Sequence, residues 1–311
     1  MNEKANPTKN GDETPQLRHA LLRACELAGV DPTDARLIHH YANAVYMLPA
    51  ENAVARLLHG PHGAQRAATS LRITRWLVVD HDFPATAPIP GTEPIAVDET
   101  TTATFWTYYP QHDDGSKPTP AHLGKLVRRL QDLPRPPVEL PPWTPLRSLE
   151  TALRAPSALA AINFEEQHWL LDHINQIRHE LDRLDFPLGW GLIHGDAWAG
   201  NVLWNTAAGQ VATVLGDWDS VSWGPREIDL IPSFHAARRY GRGPGWAEAF
   251  VEAYGYDLSG WAGFPALLAM RDLVQLAGPL NRAPHEPALA QALRERLDGI
   301  RSGGTSTWAE F

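Results

Sequence analysis

Residues 190–218 constrain this chain most. The sequence on either side reads as helix, yet here short apolar runs alternate with polar turns. Gly191-Leu192-Ile193 leads into His194-Gly195-Asp196, Val202-Leu203-Trp204 follows, and Val214-Leu215 runs into Gly216-Asp217-Trp218-Asp219. Apolar runs this short, bounded by turn formers, are strands rather than helices. A strand–loop–strand unit set among helices therefore holds Asp196, Asn201 five residues later, and Asp217 and Asp219 beyond the next strand.

Such rigid flanks suit phosphoryl transfer, which needs positioning and charge neutralisation more than covalent chemistry. A carboxylate at Asp196 can orient an attacking hydroxyl and accept its proton. Asn201 offers a neutral oxygen and Asp217 a charged one. Hard oxygens of this kind suit Mg²⁺, the ion that bridges nucleotide phosphates. His-Gly-Asp alone is equally a tight turn without function. The spaced Asn and the later Asp at a strand end are what a bare turn does not require.

The rest of the chain supplies a setting. Residues 1–15 are polar and Pro-containing and read as a disordered leader. A helix fits residues 16–28, with Gly29 at its stop. Strands fit residues 36–40, 44–48 and 53–58, a helix fits 64–78, and two more strands fit 94–97 and 102–108. Together they make a small antiparallel sheet with one packed helix. A helix begins at 123–130. Residues 133–145 are proline-dense, so they form an extended surface connection. Beyond it, helices fit 164–184, 226–239, 246–254, 262–277 and 287–300. Residues 302–311, rich in Gly, Ser and Thr, read as a loose tail.

The bulk numbers exclude some classes. With 43% hydrophobic and 20% charged residues the chain can build a core. A net charge of −9 argues against a nucleic-acid partner, which calls for a basic face. The one cysteine, Cys25, permits no internal disulfide, and no Cys/His pattern has zinc spacing. No run of about 18 apolar residues is present for a membrane span, and the first residues lack an apolar signal core. A cytoplasmic protein with no membrane partner is the expectation. His39, His40, His59 and His62 lie close in sequence without metal-site spacing and read as hairpin and loop residues.

The His-Gly-Asp-x4-Asn segment with the later Asp217 resembles the aminoglycoside phosphotransferase and choline kinase-like family, relatives of the protein kinases. The resemblance implies an α+β, bilobal protein-kinase-like fold: a small antiparallel β N-lobe with one packed helix (residues 16–109) and a larger, mainly helical C-lobe (residues 110–301). It implies Asp196 as catalytic base, Asn201 and Asp217 as ligands of Mg²⁺, His194 as a brace of the loop, and ATP or GTP as phosphoryl donor. Ser-Trp-Gly-Pro-Arg-Glu-Ile-Asp-Leu, residues 222–230, is similar to the family's segment after the metal Asp, with Asp229 as an internal brace. Residues 40–48, with Asn43, resemble the nucleotide-covering hairpin but contain no glycine. Residues 52–57 align with the strand that carries a phosphate-binding Lys in many members, with Arg56 in its place; a guanidinium also holds phosphate oxygens. Residues 104–110 resemble the hinge that meets the nucleotide base, with Trp106 and Tyr108 nearby. In one respect the chain departs from the pattern: Ser70 stands where a helix Glu normally pairs with the phosphate-binding cation. Either Arg56 is anchored elsewhere, with Glu51 and Glu93 as candidates, or the register differs, or nucleotide binding is altered.

Three functions fit these residues: a kinase for a hydroxyl of a small molecule such as an antibiotic or other natural product, a Ser/Thr kinase for peptides or proteins, and a non-catalytic kinase-like binding protein. The acceptor would be held by about residues 160–185 and 225–300, where acids (Glu248, Glu252, Asp257, Asp272) mix with arginines (Arg238, Arg239, Arg242, Arg271, Arg282) and His235. Mixed signs there forecast no acceptor class. Arg238-Arg239 reads as a solvated helix face.

Overall fold

The structure, a computed structural model, describes residues 13–40, 43–60, 62–206 and 212–309, so most of the expected leader lies outside the described residues. In chain order the elements are α1 (Pro15–Ala28), β1 (Arg36–His40), β2 (Asn43–Leu48), β3 (Ala53–His59), α2 (Gly63–His81), β4 (Ile95–Ala96), β5 (Thr101–Thr107), α3 (Pro120–Gln131), α4 (Arg147–Arg154) and α5 (Phe164–Leu181). There follow β6 (Trp190–Ile193), β7 (Val202–Asn205), β8 (Ala212–Leu215), β9 (Ser222–Pro225), α6 (Ile231–Arg239), α7 (Pro244–Tyr254), α8 (Phe264–Val274), α9 (Ala277–Arg282) and α10 (Pro287–Arg301). They group into two compact units. One comprises the described residues of Met1–Pro118, Leu133–Leu140 and Gly200–Val221; the other comprises those of Thr119–Asp132, Pro141–Ala199 and Ser222–Phe311.

The first unit is built on an antiparallel sheet of order β1-β2-β3-β5-β4. Thr14 caps α1 by accepting the Leu17 N–H at 3.2 Å, and Gly29 ends it at φ +67°, a conformation that costs glycine little. Leu17, Leu21, Ala24 and Cys25 repeat at helical spacing and pack on Tyr46, Ala55, Leu57, Ala103 and Phe105, one face of the sheet. The out-of-phase residues Leu58, Thr104 and Trp106 are buried as well, and α2 runs against β3 and β5. The sheet thus carries α1 in addition to the one helix expected on it. The β7–β8 hairpin joins this unit through the segment after α2: Thr86 N–H donates to the Leu215 carbonyl and Leu215 N–H to that of Pro84. Trp218 is fully buried, edge-on to Phe83 at 6.0 Å, which fixes the residues on either side of it.

The second unit is helical apart from the β6–β9 pair, beside which residues 141–143 of the proline-dense stretch run extended. Helices α3 and α7 approach so closely at Gly124 that a Cβ there would lie 2.7 Å from the Phe250 carbonyl oxygen. One expected helix is divided and another ends early. The stretch 226–239 begins as a 3₁₀ turn, Arg226–Asp229, before α6. The stretch 262–277 ends at Val274, and α9 starts after it; Pro279 has no N–H and would crowd the carbonyl of Gln275 in a continuous helix.

The described part of the expected loose tail, residues 302–309, is held. Trp308 is 6% exposed and lies between two guanidiniums, Arg239 at 4.7 Å and Arg296 at 5.4 Å from its ring centre. Arg239 also donates to the Gly304 carbonyl and Arg296 to that of Ala309. Gly, Ser and Thr set the composition of the tail, but the one aromatic decides its place. Trp308→Ala is expected to cost about 3 kcal/mol of stability, read as a lower denaturant midpoint at unchanged slope.

Among the described residues no helix is long and apolar enough to cross a membrane.

Candidate active site

In the first unit four side chains from three separate stretches of sequence meet. Arg56, central on β3, donates Nη1 and Nη2 to the two carboxylate oxygens of Asp219 at 3.3 and 3.0 Å. Its Nη2 also reaches Asp217 at 2.9 Å. Asn43 at the start of β2 donates to the same Asp219 at 2.9 Å. Arg56 and Asp219 are each 15% exposed and Asp217 49%. Burial works against the Arg56 charge, but the Asp219 and Asp217 carboxylates outweigh it and hold the guanidinium above its ordinary range. One cation facing two carboxylates leaves the cluster at net −1.

Asp217 has φ +59°. Asp tolerates this left-handed region better than most residues, and it is a conformation that recurs where side chains are aimed for function. The Asn201 carbonyl accepts the Gly216 N–H at 2.8 Å, so the segment carrying Asn201 is tied to the one carrying Asp217. An amide oxygen and a carboxylate on two tied segments, in a cluster of net negative charge, fit a hard divalent cation such as Mg²⁺.

Ser70 explains the departure seen in the sequence. It sits on α2, 1% exposed, and its hydroxyl has no hydrogen-bond partner among the described residues. Arg56 is anchored from another direction, by Asp219. Neither of the other candidates serves: Glu51 accepts the Asp31 N–H, and Glu93 pairs with Arg75. Asp219 is thus the residue that sequence reasoning noted but gave no role; its spacing in Asp-Trp-Asp was the only signal.

The residues expected near a hinge divide. The Trp106 ring is buried at 5% exposure and its N–H donates to Thr104 at 2.8 Å, so the indole is part of the sheet's packing. Tyr108 is half-buried, with its backbone N–H on the Asn52 carbonyl.

In the second unit the His-Gly-Asp loop leaves β6. His194 is fully buried, and its Nδ1 accepts the Asp196 N–H at 3.3 Å. Gly195 has φ +83°, which a side chain would resist. Asp229, fully buried in the 3₁₀ turn, accepts the backbone N–H groups of His194 and Gly195, both at 2.8 Å. The loop therefore hangs from one carboxylate. Burial pushes the Asp229 pKa up to about 6, against the lowering effects of His194 and the two N–H bonds. A carboxyl group with a raised folded-state pKa contributes its stability in full below its unfolded value near 4. That contribution falls as pH rises through about 6. Asp229→Asn is expected to remove this slope, measured as stability against pH from 4 to 8.

The Asp196 carboxylate receives a hydrogen bond from Arg271 on α8, at 2.8 Å. Arg271 is 13% exposed and Asp196 38%. One residue on, Asp272 is taken up inside: it faces His235 at 3.0 Å and Arg239, whose Nε lies 2.9 Å away. His235 is 1% exposed; burial lowers its pKa, and the Arg271 charge acts in the same direction, against the Asp272 bond. Of the pair expected on a solvated face, Arg238 is exposed but Arg239 is drawn inward by Asp272 and the tail.

Residues 34–267 match the model of the phosphotransferase enzyme family. No curated protein matches the sequence. Among solved structures, a microcompartment-associated aminopropanol kinase aligns at TM-score 0.67 with 19% identity, over 90% of this chain and 94% of that one. Spectinomycin phosphotransferase in complex with ADP and spectinomycin aligns at 0.59 with 16% identity, over 91% and 93%. The GDP complex of an aminoglycoside 2′-phosphotransferase variant aligns at 0.60 with 12% identity, over 92% and 97%. At these identities the structural likenesses establish the protein-kinase-like fold. With the family model covering most of its length, the chain belongs to the phosphotransferase enzyme family.

Proposed function

We propose that this phosphotransferase moves the terminal phosphoryl group of ATP or GTP, with Mg²⁺, to a hydroxyl of a small molecule such as an antibiotic or other natural product, in a cytoplasmic setting. The observation that carries the proposal is the buried Arg56–Asp219 pair with Asp217 and the tied Asn201 beside it. Arg56 steadies donor phosphates, and Asn43 keeps Asp219 in place to aim it. Asn201 and Asp217 hold the metal, which when bound neutralises charge on the phosphate oxygens. Asp196, on a loop fixed by Asp229, orients the acceptor hydroxyl and takes its proton. Tyr108 is the hinge residue kept for the nucleotide base; Trp106 contributes through its backbone and packing.

The structurally similar proteins act on or are bound to small hydroxylated compounds and nucleotides, which supports a small-molecule acceptor over a peptide. A non-catalytic role drew on Ser70 and the glycine-free hairpin. Asp219 answers the first point, because the cation keeps a buried carboxylate partner without the helix Glu.

Calorimetry tests the proposal. ATP or GTP is expected to bind in the presence of Mg²⁺ and more weakly without it. Absence of heat from either nucleotide, with and without the metal, would sink it in favour of a non-nucleotide role.

A further inference from the structure

The charge at Asp196 bears on the acceptor, an inference that rests on the phosphotransferase reading of the site. A polycationic acceptor calls for several carboxylates converging on it. In the second unit most of the sheltered carboxylates are already committed; Glu227, fully buried, takes the Leu188 N–H on one oxygen and leaves the other unpartnered among the described residues. Asp272 is held by His235 and Arg239, Glu166 by Arg294, and Asp229 by the His194 and Gly195 N–H groups, while Asp257, which caps the Ser259 N–H, is exposed. Glu248 and Glu252 stand exposed on α7. The group beside Asp196 is a cation, Arg271, 13% exposed, and Asp196 is the single hydrogen-bonding partner of its side chain among the described residues.

That pairing cannot persist unchanged through turnover. The acceptor hydroxyl oxygen bonds to the γ-phosphorus, the bond from that phosphorus to the bridging oxygen breaks, and the nucleoside diphosphate leaves with the electron pair. The hydroxyl proton passes to the Asp196 carboxylate. Asp196 is then neutral, and Arg271 is left as a largely buried cation without its counter-charge, an unfavourable state. An anion supplied by the acceptor removes the difficulty, and a planar guanidinium with donors to spare suits a carboxylate or phosphate.

We propose that the acceptor is a small hydroxylated molecule bearing an anionic group, carboxylate or phosphate, close to the reacting hydroxyl, and that Arg271 receives that group. Arg271 is then a specificity-determining residue beside the base.

The test uses the full chain, MgATP or MgGTP, and a hydroxyl library in three charge classes. Hydroxy acids and sugar phosphates are the anionic arms, sugars and polyols the neutral arm, and aminoglycosides and amino alcohols the cationic arm. The wild-type protein is expected to phosphorylate an anionic compound with kcat/KM at least 100-fold above its uncharged counterpart, and the two anionic arms separate carboxylate from phosphate. Arg271→Gln is expected to reduce that ratio to below tenfold, chiefly by raising KM, and Arg271→Lys to recover part of it. A preference of the wild type for neutral or cationic acceptors overturns the inference while leaving phosphotransfer intact. So does an Arg271→Gln loss confined to kcat and equal for every class, since that assigns the arginine to the moving phosphoryl group. Transfer to no class overturns both. The wild-type ranking decides even where Arg271→Gln fails to fold.

Discussion

Replacing Asp196 with Asn is expected to lower phosphate transfer by about 100- to 10,000-fold, roughly 3–5 kcal/mol of barrier. The substitution keeps the size of the side chain and an oxygen that can accept from Arg271, so the loop hung from Asp229 retains its anchor. What is lost is the capacity to accept the hydroxyl proton, together with the negative charge that faces Arg271. The effect should fall on kcat, with MgATP or MgGTP still bound, because the nucleotide and metal are assigned to Arg56, Asn201 and Asp217. Steady-state kinetics together with calorimetry separate the two. An equal loss of nucleotide affinity would show that Asp196 serves the donor instead.

The second large effect belongs to Asp219. Asp219→Ala removes the two-point partner of a buried arginine and leaves the Asn43 amide without its acceptor. Breaking one side of such a pair costs about 3–5 kcal/mol when the remaining charge stays buried. Here Asp217 is still in reach of Arg56, so about 2–3 kcal/mol is expected. Arg56 would then turn fully to Asp217 and compete with the metal, and nucleotide affinity should fall at least about tenfold, or 1.4 kcal/mol. A double-mutant cycle of Arg56→Ala with Asp219→Ala measures the coupling directly. Additive single effects would mean that the pair does not act as a unit.

These two residues illustrate what a sequence discloses. Asp196, Asn201 and Asp217 stand out as candidates because their spacing lies within one strand–loop–strand stretch, and apolar runs of period two and helices of period 3.6 outline the sheet and most helices. The Arg56–Asp219 pair joins positions 163 residues apart, and Arg271–Asp196 joins positions 75 apart. No local pattern encodes such meetings; they follow from tertiary packing. Ser70 looked like a defect for the same reason, since the compensating carboxylate lay on a distant segment. Trp106 and Trp308 show the ambiguity of aromatics. Trp106 stands where the resemblance implies a nucleotide neighbour, yet its ring is in the core; Trp308 stands in a Gly/Ser tail, yet is a packing anchor. Pro232 is a readable warning that a helix over 226–239 breaks, and Pro279, two residues past the expected helix over 262–277, bars that helix from running on.

The most direct test of the central claim, that the Asp196–Asn201–Asp217 set transfers phosphate, is a ³¹P spectrum of the protein with Mg²⁺, ATP or GTP, and the hydroxyl library. A new phosphate monoester resonance growing with loss of the γ-phosphate signal, and absent with Asp196→Asn, is the expected result. No monoester from either nucleotide, or a monoester formed equally fast by Asp196→Asn, would contradict it.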